Sequence, residues 1–232
     1  MNEDLFIATE RWKSDYVGSQ AALVLYRNVT GIDDTPALAA MKRALETTLT
    51  ARWANASKQD LLQDPTLAAY ERYDRRFGQS YHVAMQIRSI AQQGKTIPAR
   101  NVIVEAMFMT ELAWGVLAAA QDVDLVKMPI TIDGTDGSEE YVRYDGVTEK
   151  CKPGDQAMRD ADGHILTSIA QGPTSSGLVG AATRNVAYCF YFPGGVSDSV
   201  IAGTLAYLDT CLLAGSPHAE LIETVVLAAD QA

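Results

Sequence analysis

Near Val126 the sequence changes from long helix-forming stretches to short β-rich runs. Before this point, Pro-started helices are predicted after Thr35 and Asp64, and a third helix between Ser80 and Gly94. After it come the runs VKMPITID, EEYVRYDG, DQAMRDADGHILTSI and TRNVAYCFYF, separated by Gly, Asp and Pro turns. This order predicts an α+β fold in which helices pack on a mixed, mainly antiparallel β-sheet.

Four further segments complete the predicted elements. The run AALVLYRNVTG is typical of a strand, and SDSVIAGTLAYLDTCLLAG of a helix with Ser197 as its N-cap. Residues 99–126, ARNVIVEAMFMTELAWGVLAAAQDVDLV, form an apolar run that we expect to be helical. The last apolar run, AELIETVVLA, fits either a helix or a strand.

Length and composition indicate a soluble, folded protein. The 232 residues, 47% hydrophobic and 21% charged, exclude both a disordered chain and a membrane-spanning one. One domain over residues 1–232 is predicted, with two lobes as the less favoured arrangement. The acidic start lacks the basic and apolar regions of a signal peptide, so a cytoplasmic location is expected. Cys151, Cys189 and Cys211 have neither disulfide nor zinc-ligand spacing, which predicts reduced thiols.

The charge of the chain disfavours nucleic acid as a partner. A formal charge of −10 and a pI near 4.7 repel phosphates unless Lys and Arg cluster on one face. The basic residues are scattered, with only local pairs such as Lys42-Arg43 and Arg75-Arg76.

Two acidic residues, Glu105 and Glu111, interrupt the apolar segment 99–126. On a helix, Glu111 would share a stripe with Met107, Trp114 and Ala118. A carboxylate buried there would have a raised pKa, as a general acid or base near neutral pH requires. The alternative is that Glu111 reaches solvent or pairs with an arginine.

Other candidate groups carry weaker signals. His82, near a helix start, and His164, in a turn, are the remaining proton carriers, although single histidines are usually surface or capping residues. The stretch GPTSSGLVG matches no phosphate-binding loop, and DGTDGSEE lacks the spacing of a calcium loop and fits a hairpin turn. No metal and no cofactor are predicted.

Three segments together resemble the B3/B4 domain of the phenylalanyl-tRNA synthetase beta subunit. They are residues 99–126, the turn KPGDQAMRDADGHILTSIAQG and the strand TRNVAYCFYF. That domain edits tyrosine mischarged onto the phenylalanine tRNA. The resemblance covers roughly residues 80–192. Its helix motif aligns without a gap, and the matching residues are Asn101, Val104, Glu111, Ala120, Asp122 and Asp124.

The polar editing residues of the family are replaced in this chain. The family's Thr-Asn pair falls on Met107 and Phe108, its His on Ala119, and its Asp on Glu105. Its glycine-rich motif falls on residues 166–172 and the Glu of its last strand near Cys189. More apolar walls suit an aromatic ligand without the tRNA ester. The resemblance therefore implies a remodelled pocket whose lining residues are Met107, Phe108, Trp114, Ala119, Ser168, Gln171 and Cys189.

Three functions are compatible with these features. The first is an enzyme that binds a free aromatic amino acid or derivative and acts by acid–base chemistry through Glu111, Glu105 and His82. A condensation such as Pictet–Spengler cyclisation, or a hydrolysis, fits this chemistry. The second is a trans-editing deacylase of mischarged aminoacyl-tRNA, which the charge disfavours. The third is a non-catalytic ligand-binding module.

Overall fold

The computed structural model describes residues 5–31 and 35–230, and every structural statement below concerns those residues. The helices are α1 (Glu10–Asp15), α2 (Pro36–Trp53), α3 (Lys58–Leu61), α4 (Pro65–Arg75), α5 (His82–Gln93), α6 (Val102–Trp114) and α7 (Asp198–Gly215). The strands are β1 (Phe6–Ala8), β2 (Gln20–Arg27), β3 (Leu117–Asp122), β4 (Ile130–Gly134), β5 (Glu140–Val142), β6 (Thr148–Lys150), β7 (Gln156–Arg159), β8 (Ile165–Ser168), β9 (Gly172–Pro173), β10 (Val186–Phe192) and β11 (Glu220–Ala228). The α+β class is confirmed.

The predicted helix starts are confirmed by their capping geometry. The side chains of Thr35, Asp64 and Ser197 each accept a backbone N–H from the first turn of α2, α4 and α7. Proline occupies the first position of both α2 and α4, where its missing N–H costs nothing. These ends are encoded locally, which explains why the sequence pattern alone locates them.

Contacts divide the chain into two compact units. The sheet unit comprises Met1–Arg27, Ala119–Gly194 and Leu221–Ala232, and the helical unit comprises Asn28–Ala118 and Gly195–Glu220. The helical unit contains α2 to α7, with α6 packed against α7 and α2 against α5. The strands belong to the sheet unit, apart from the first residues of β3 and β11.

The strands form three sheets instead of the single predicted one. A five-stranded sheet has the order β1-β4-β7-β8-β9, with β1 parallel to β4 and the remaining pairs antiparallel. A four-stranded sheet has the order β11-β2-β10-β3, and β5 pairs with β6 alone. In the four-stranded sheet, β10 runs antiparallel to β2 with Cys189 opposite Leu23, and every residue of β10 is buried. The last apolar run of the sequence, left open between helix and strand, is the edge strand β11.

The prediction of one helix over residues 99–126 is wrong in its second half. The helix α6 ends at Trp114 because Gly115 adopts a left-handed conformation (φ +68°), and strand β3 begins at Leu117. The alanines of β3 are buried, so burial between neighbouring elements overrides their preference for a helix. Ala118 therefore does not lie on the helical stripe of Met107, Glu111 and Trp114.

No helix in the described ranges combines the length and apolar character needed to cross a bilayer.

Candidate ligand-binding site

A cavity of about 560 Å³ lies within the helical unit. It is bounded by α2, the start of α4, one residue of α5, the end of α6 and two residues of α7. Its volume and mostly apolar walls are typical of pockets that hold a small organic molecule. The lining residues are Met41, Ala44, Leu45, Thr48, Leu49, Arg52, Trp53, Asp64, Thr66, Leu67, Ile87, Leu112, Ala113, Trp114, Gly115, Val200 and Tyr207.

Three aromatic side chains line this cavity. Trp53 ends α2, Trp114 ends α6, and Tyr207 lies in the middle of α7. The Trp114 ring lies directly against Gly203 of α7, where a methyl group would overlap the ring. The absence of a side chain at Gly203 thus allows Trp114 to occupy its place in the cavity wall. Such a wall suits a flat or aromatic ligand.

One ion pair supplies the charged groups of the lining. Arg52 Nη2 donates to Asp64 Oδ2 at 2.9 Å, and the guanidinium lies 4.3 Å from the centre of the Trp53 ring. Asp64 is also the N-cap of α4, where its Oδ1 accepts the N–H groups of Thr66 at 3.0 Å and Leu67 at 3.2 Å. The Asp64 side chain is 19% exposed and the Arg52 side chain 57% exposed, so the arginine is the more accessible of the two charges.

Glu111 is buried but is not among the residues that line the cavity. Its Oε1 accepts the N–H of Ala118 at 2.9 Å. In the same turn between α6 and β3, Tyr70 accepts the N–H of Leu117 and Tyr81 donates to the carbonyl of Gly115. Glu111 therefore belongs to a buried polar group that satisfies the backbone of this turn.

Burial raises the pKa of Glu111 to about 8, and the hydrogen bond from Ala118 opposes this shift. Neither alternative considered for Glu111 holds: the side chain does not reach solvent, and no arginine of the described chain pairs with it. A carboxyl with this pKa is mostly protonated at pH 7 and can then donate as well as accept a hydrogen bond. Its assignment as a general acid or base stays a prediction.

Glu105 is engaged in a second buried arrangement of the helical unit. It forms an ion pair with Lys42 of α2 and accepts the backbone N–H of Arg100 just before α6. Lys42 and Glu105 are 5% and 2% exposed. Glu105 is not in the cavity lining, and both observed contacts connect α6 to its neighbours.

His82, Met107 and Phe108 are half-buried in the helical unit and lie outside the cavity lining. His82 is the first residue of α5, as its predicted position near a helix start requires, and its ring packs edge-on against Tyr81. Burial lowers the pKa of His82, so the imidazole is neutral at pH 7. Of the predicted pocket residues, Trp114 is the one that lines the cavity.

The remaining predicted pocket residues belong to the sheet unit. Ala119 is buried in β3, and Ser168 is buried in β8 opposite Ala157 and Gly172. Gln171 donates from its Nε2 to the carbonyl of Lys150 at 3.0 Å. Cys189 is buried in β10, and burial raises the pKa of its thiol to about 12, which makes it a poor nucleophile.

The three cysteines are free, as predicted, and all three are buried. Within the described residues, one group has ligand atoms close enough together for a metal ion, namely Asp160, Asp162 and His164. The Asp160 carboxylate accepts the backbone N–H groups of Asp162 and His164, so this cluster stabilises its own turn. Glu139 accepts the N–H groups of Asp136 and Gly137 and in the same way closes the turn in DGTDGSEE.

Sequence reasoning missed Arg52, Trp53, Asp64 and Tyr207 as lining residues of the cavity. Arg52 and Asp64 are separated by 12 positions and lie on either side of the short helix α3. One signal was present, since Asp64 was identified as the start of a Pro-initiated helix. Nothing in the local pattern, however, indicates that an arginine at the end of the preceding long helix would reach it.

Comparisons with known proteins give similar solved structures and no sequence relative. No protein-family description matches this chain, and no curated protein matches it. The chain is similar to the crystal structure of an N-terminal fragment of the phenylalanyl-tRNA synthetase beta subunit from Pyrococcus horikoshii, with 12% identity and a TM-score of 0.49. The match covers 93% of this chain and 49% of that one, so this chain spans about half its length. The family membership inferred from the sequence motifs stays a prediction.

Proposed function

We propose that the helical unit binds a small molecule with an aromatic or branched apolar body in the cavity between α2, α4, α6 and α7. The observation that carries this proposal is the cavity itself, about 560 Å³ in volume, with Trp53, Trp114 and Tyr207 in its wall. A free aromatic amino acid or one of its derivatives has the size and character that such a cavity accommodates.

The enzymatic hypothesis is retained as an extension of this binding function. An acid–base reaction on the bound molecule, whether condensation or hydrolysis, requires a proton carrier within reach of the ligand. Glu111 has a pKa near neutrality, but Glu111, Glu105 and His82 lie outside the cavity lining. Binding is therefore the function that the geometry supports best, and turnover is the separate question to ask once a ligand is known.

The proposal predicts that filling the cavity abolishes binding. Ala44 lines the cavity and is also exposed, so Ala44→Phe should block the space with little effect on folding. Thermal unfolding would be measured with free phenylalanine, tyrosine and tryptophan, their amines and methyl esters, and bulk tRNA. A ligand at a hundred times its dissociation constant adds about 2.7 kcal/mol to the stability of the protein, which such a screen detects readily.

Ala51→Phe is the matched control, because Ala51 lies exposed on the same helix outside the lining. The expected result is stabilisation of the wild type and of Ala51→Phe by at least one aromatic compound, and none for Ala44→Phe. Equal stabilisation of all three proteins would place binding outside this cavity. Stabilisation by tRNA alone would overturn the proposal in favour of the trans-editing alternative.

A further inference from the structure

We infer that the cavity selects ligands whose polar end is a carboxylate, which Arg52 recognises. This inference rests on the proposed binding function and specifies the chemical class of the ligand. Arg52 and Asp64 are the two charged residues of the lining, so one of them must set any preference between anionic and cationic ligands.

Asp64 has little remaining capacity to bind a cationic ligand. One carboxylate oxygen accepts two backbone N–H groups at the start of α4, and the other accepts Arg52. Its negative charge is therefore balanced by the guanidinium and by the positive end of an 11-residue helix. An ammonium group on a ligand would have to compete with Arg52 for the same oxygen.

Arg52, in contrast, has more hydrogen-bond donors than the contacts it makes can use. A guanidinium carries five N–H donors, and within the described chain Arg52 uses one nitrogen, Nη2, for Asp64. The other donors remain for a ligand, in the planar arrangement that suits a carboxylate. Packing over the Trp53 ring holds the guanidinium at the cavity wall and limits its motion.

A ligand of this class would place its apolar body against the aromatic wall and its carboxylate on Arg52. Trp53 lies beside both the apolar cavity and the guanidinium, since it lines the cavity and its ring stacks under Arg52. Aromatic acids of the size of an aromatic amino acid meet this description.

The test compares three probes with the same ring and different polar ends. The probes are indole-3-propionate, indole-3-propionamide and tryptamine. Calorimetry would measure the binding of each probe to the wild type, to Arg52→Gln and Arg52→Lys, and to the control Arg43→Gln. Arg43 lies exposed on α2 outside the lining. We expect the wild type and Arg43→Gln to bind the carboxylate roughly tenfold more tightly than the amide, since one charged hydrogen bond corresponds to about that factor.

Arg52→Gln should lower the ratio of carboxylate to amide affinity to about one, and Arg52→Lys should retain part of the preference. Equal binding of carboxylate and amide by the wild type, or tighter binding of tryptamine, would overturn the inference and leave the binding function intact. Failure of every probe to bind the wild type would instead contradict the binding function itself.

Discussion

Replacing Glu111 by glutamine should make the protein progressively more stable than the wild type as the pH rises from about 4.5 to about 8. Glu111 has a pKa near 8 in the folded protein because it is buried, against an ordinary value of 4.5. The folded state therefore binds the proton more tightly than the unfolded chain does. The wild type loses stability through this pH range as the unfolded chain ionises, and the loss is complete above the folded pKa.

Glutamine at position 111 retains an oxygen for the N–H of Ala118 and has no charge to bury. The expected difference in unfolding free energy is several kcal/mol at pH 8.5 and near zero at pH 4, because each pKa unit corresponds to about 1.4 kcal/mol. Urea unfolding of both proteins at several pH values measures it directly. A difference that does not change with pH would show that Glu111 ionises in the folded protein as it does in water.

Replacing Glu105 by glutamine should destabilise the protein by about 3 to 5 kcal/mol, because this change leaves the ammonium of Lys42 buried without its carboxylate. Calorimetric or urea unfolding at pH 7 measures the effect. Glu10→Gln is the matched control, since Glu10 forms an ion pair with Lys13 at the surface and its side chain is 89% exposed. The control should change the unfolding free energy little.

The double variant Lys42→Met with Glu105→Leu should recover most of the loss, because two apolar side chains of similar size need no charge compensation. A variant Glu105→Gln as stable as the wild type would contradict the buried ion pair. If such a variant lost an activity on a bound ligand, the catalytic role predicted for Glu105 from the sequence would gain support.

The parts of the fold that the sequence predicted are those with local signals. The helix starts at Thr35, Asp64 and Ser197 depend on a side chain that caps its own helix, and such a pattern can be read without tertiary contacts. The β-rich second half was recognised in the same way, from alternating β-branched and aromatic residues between turns.

The parts that the sequence did not predict depend on burial and on distant neighbours. The alanine-rich run after Gly115 is a strand because it is buried in a sheet, although its composition favours a helix. The sequence left open whether Glu111 is buried or instead reaches solvent or pairs with an arginine. It is buried, and its partner is the N–H of Ala118 in the strand that follows. The pairing of Arg52 with Asp64 likewise joins the end of α2 to the start of α4 across the short helix α3, a contact that no local pattern encodes.

The central claim, that a small aromatic molecule binds in the helical unit, is tested most directly by NMR of the methionine methyl groups. Met41 lines the cavity, whereas Met85 is exposed on α5 and Met158 is buried in β7 of the sheet unit. Titration with the tightest aromatic ligand from the binding screen should shift the methyl signal of Met41 and leave those of Met85 and Met158 in place. A ligand that binds without moving the Met41 signal would contradict the claim.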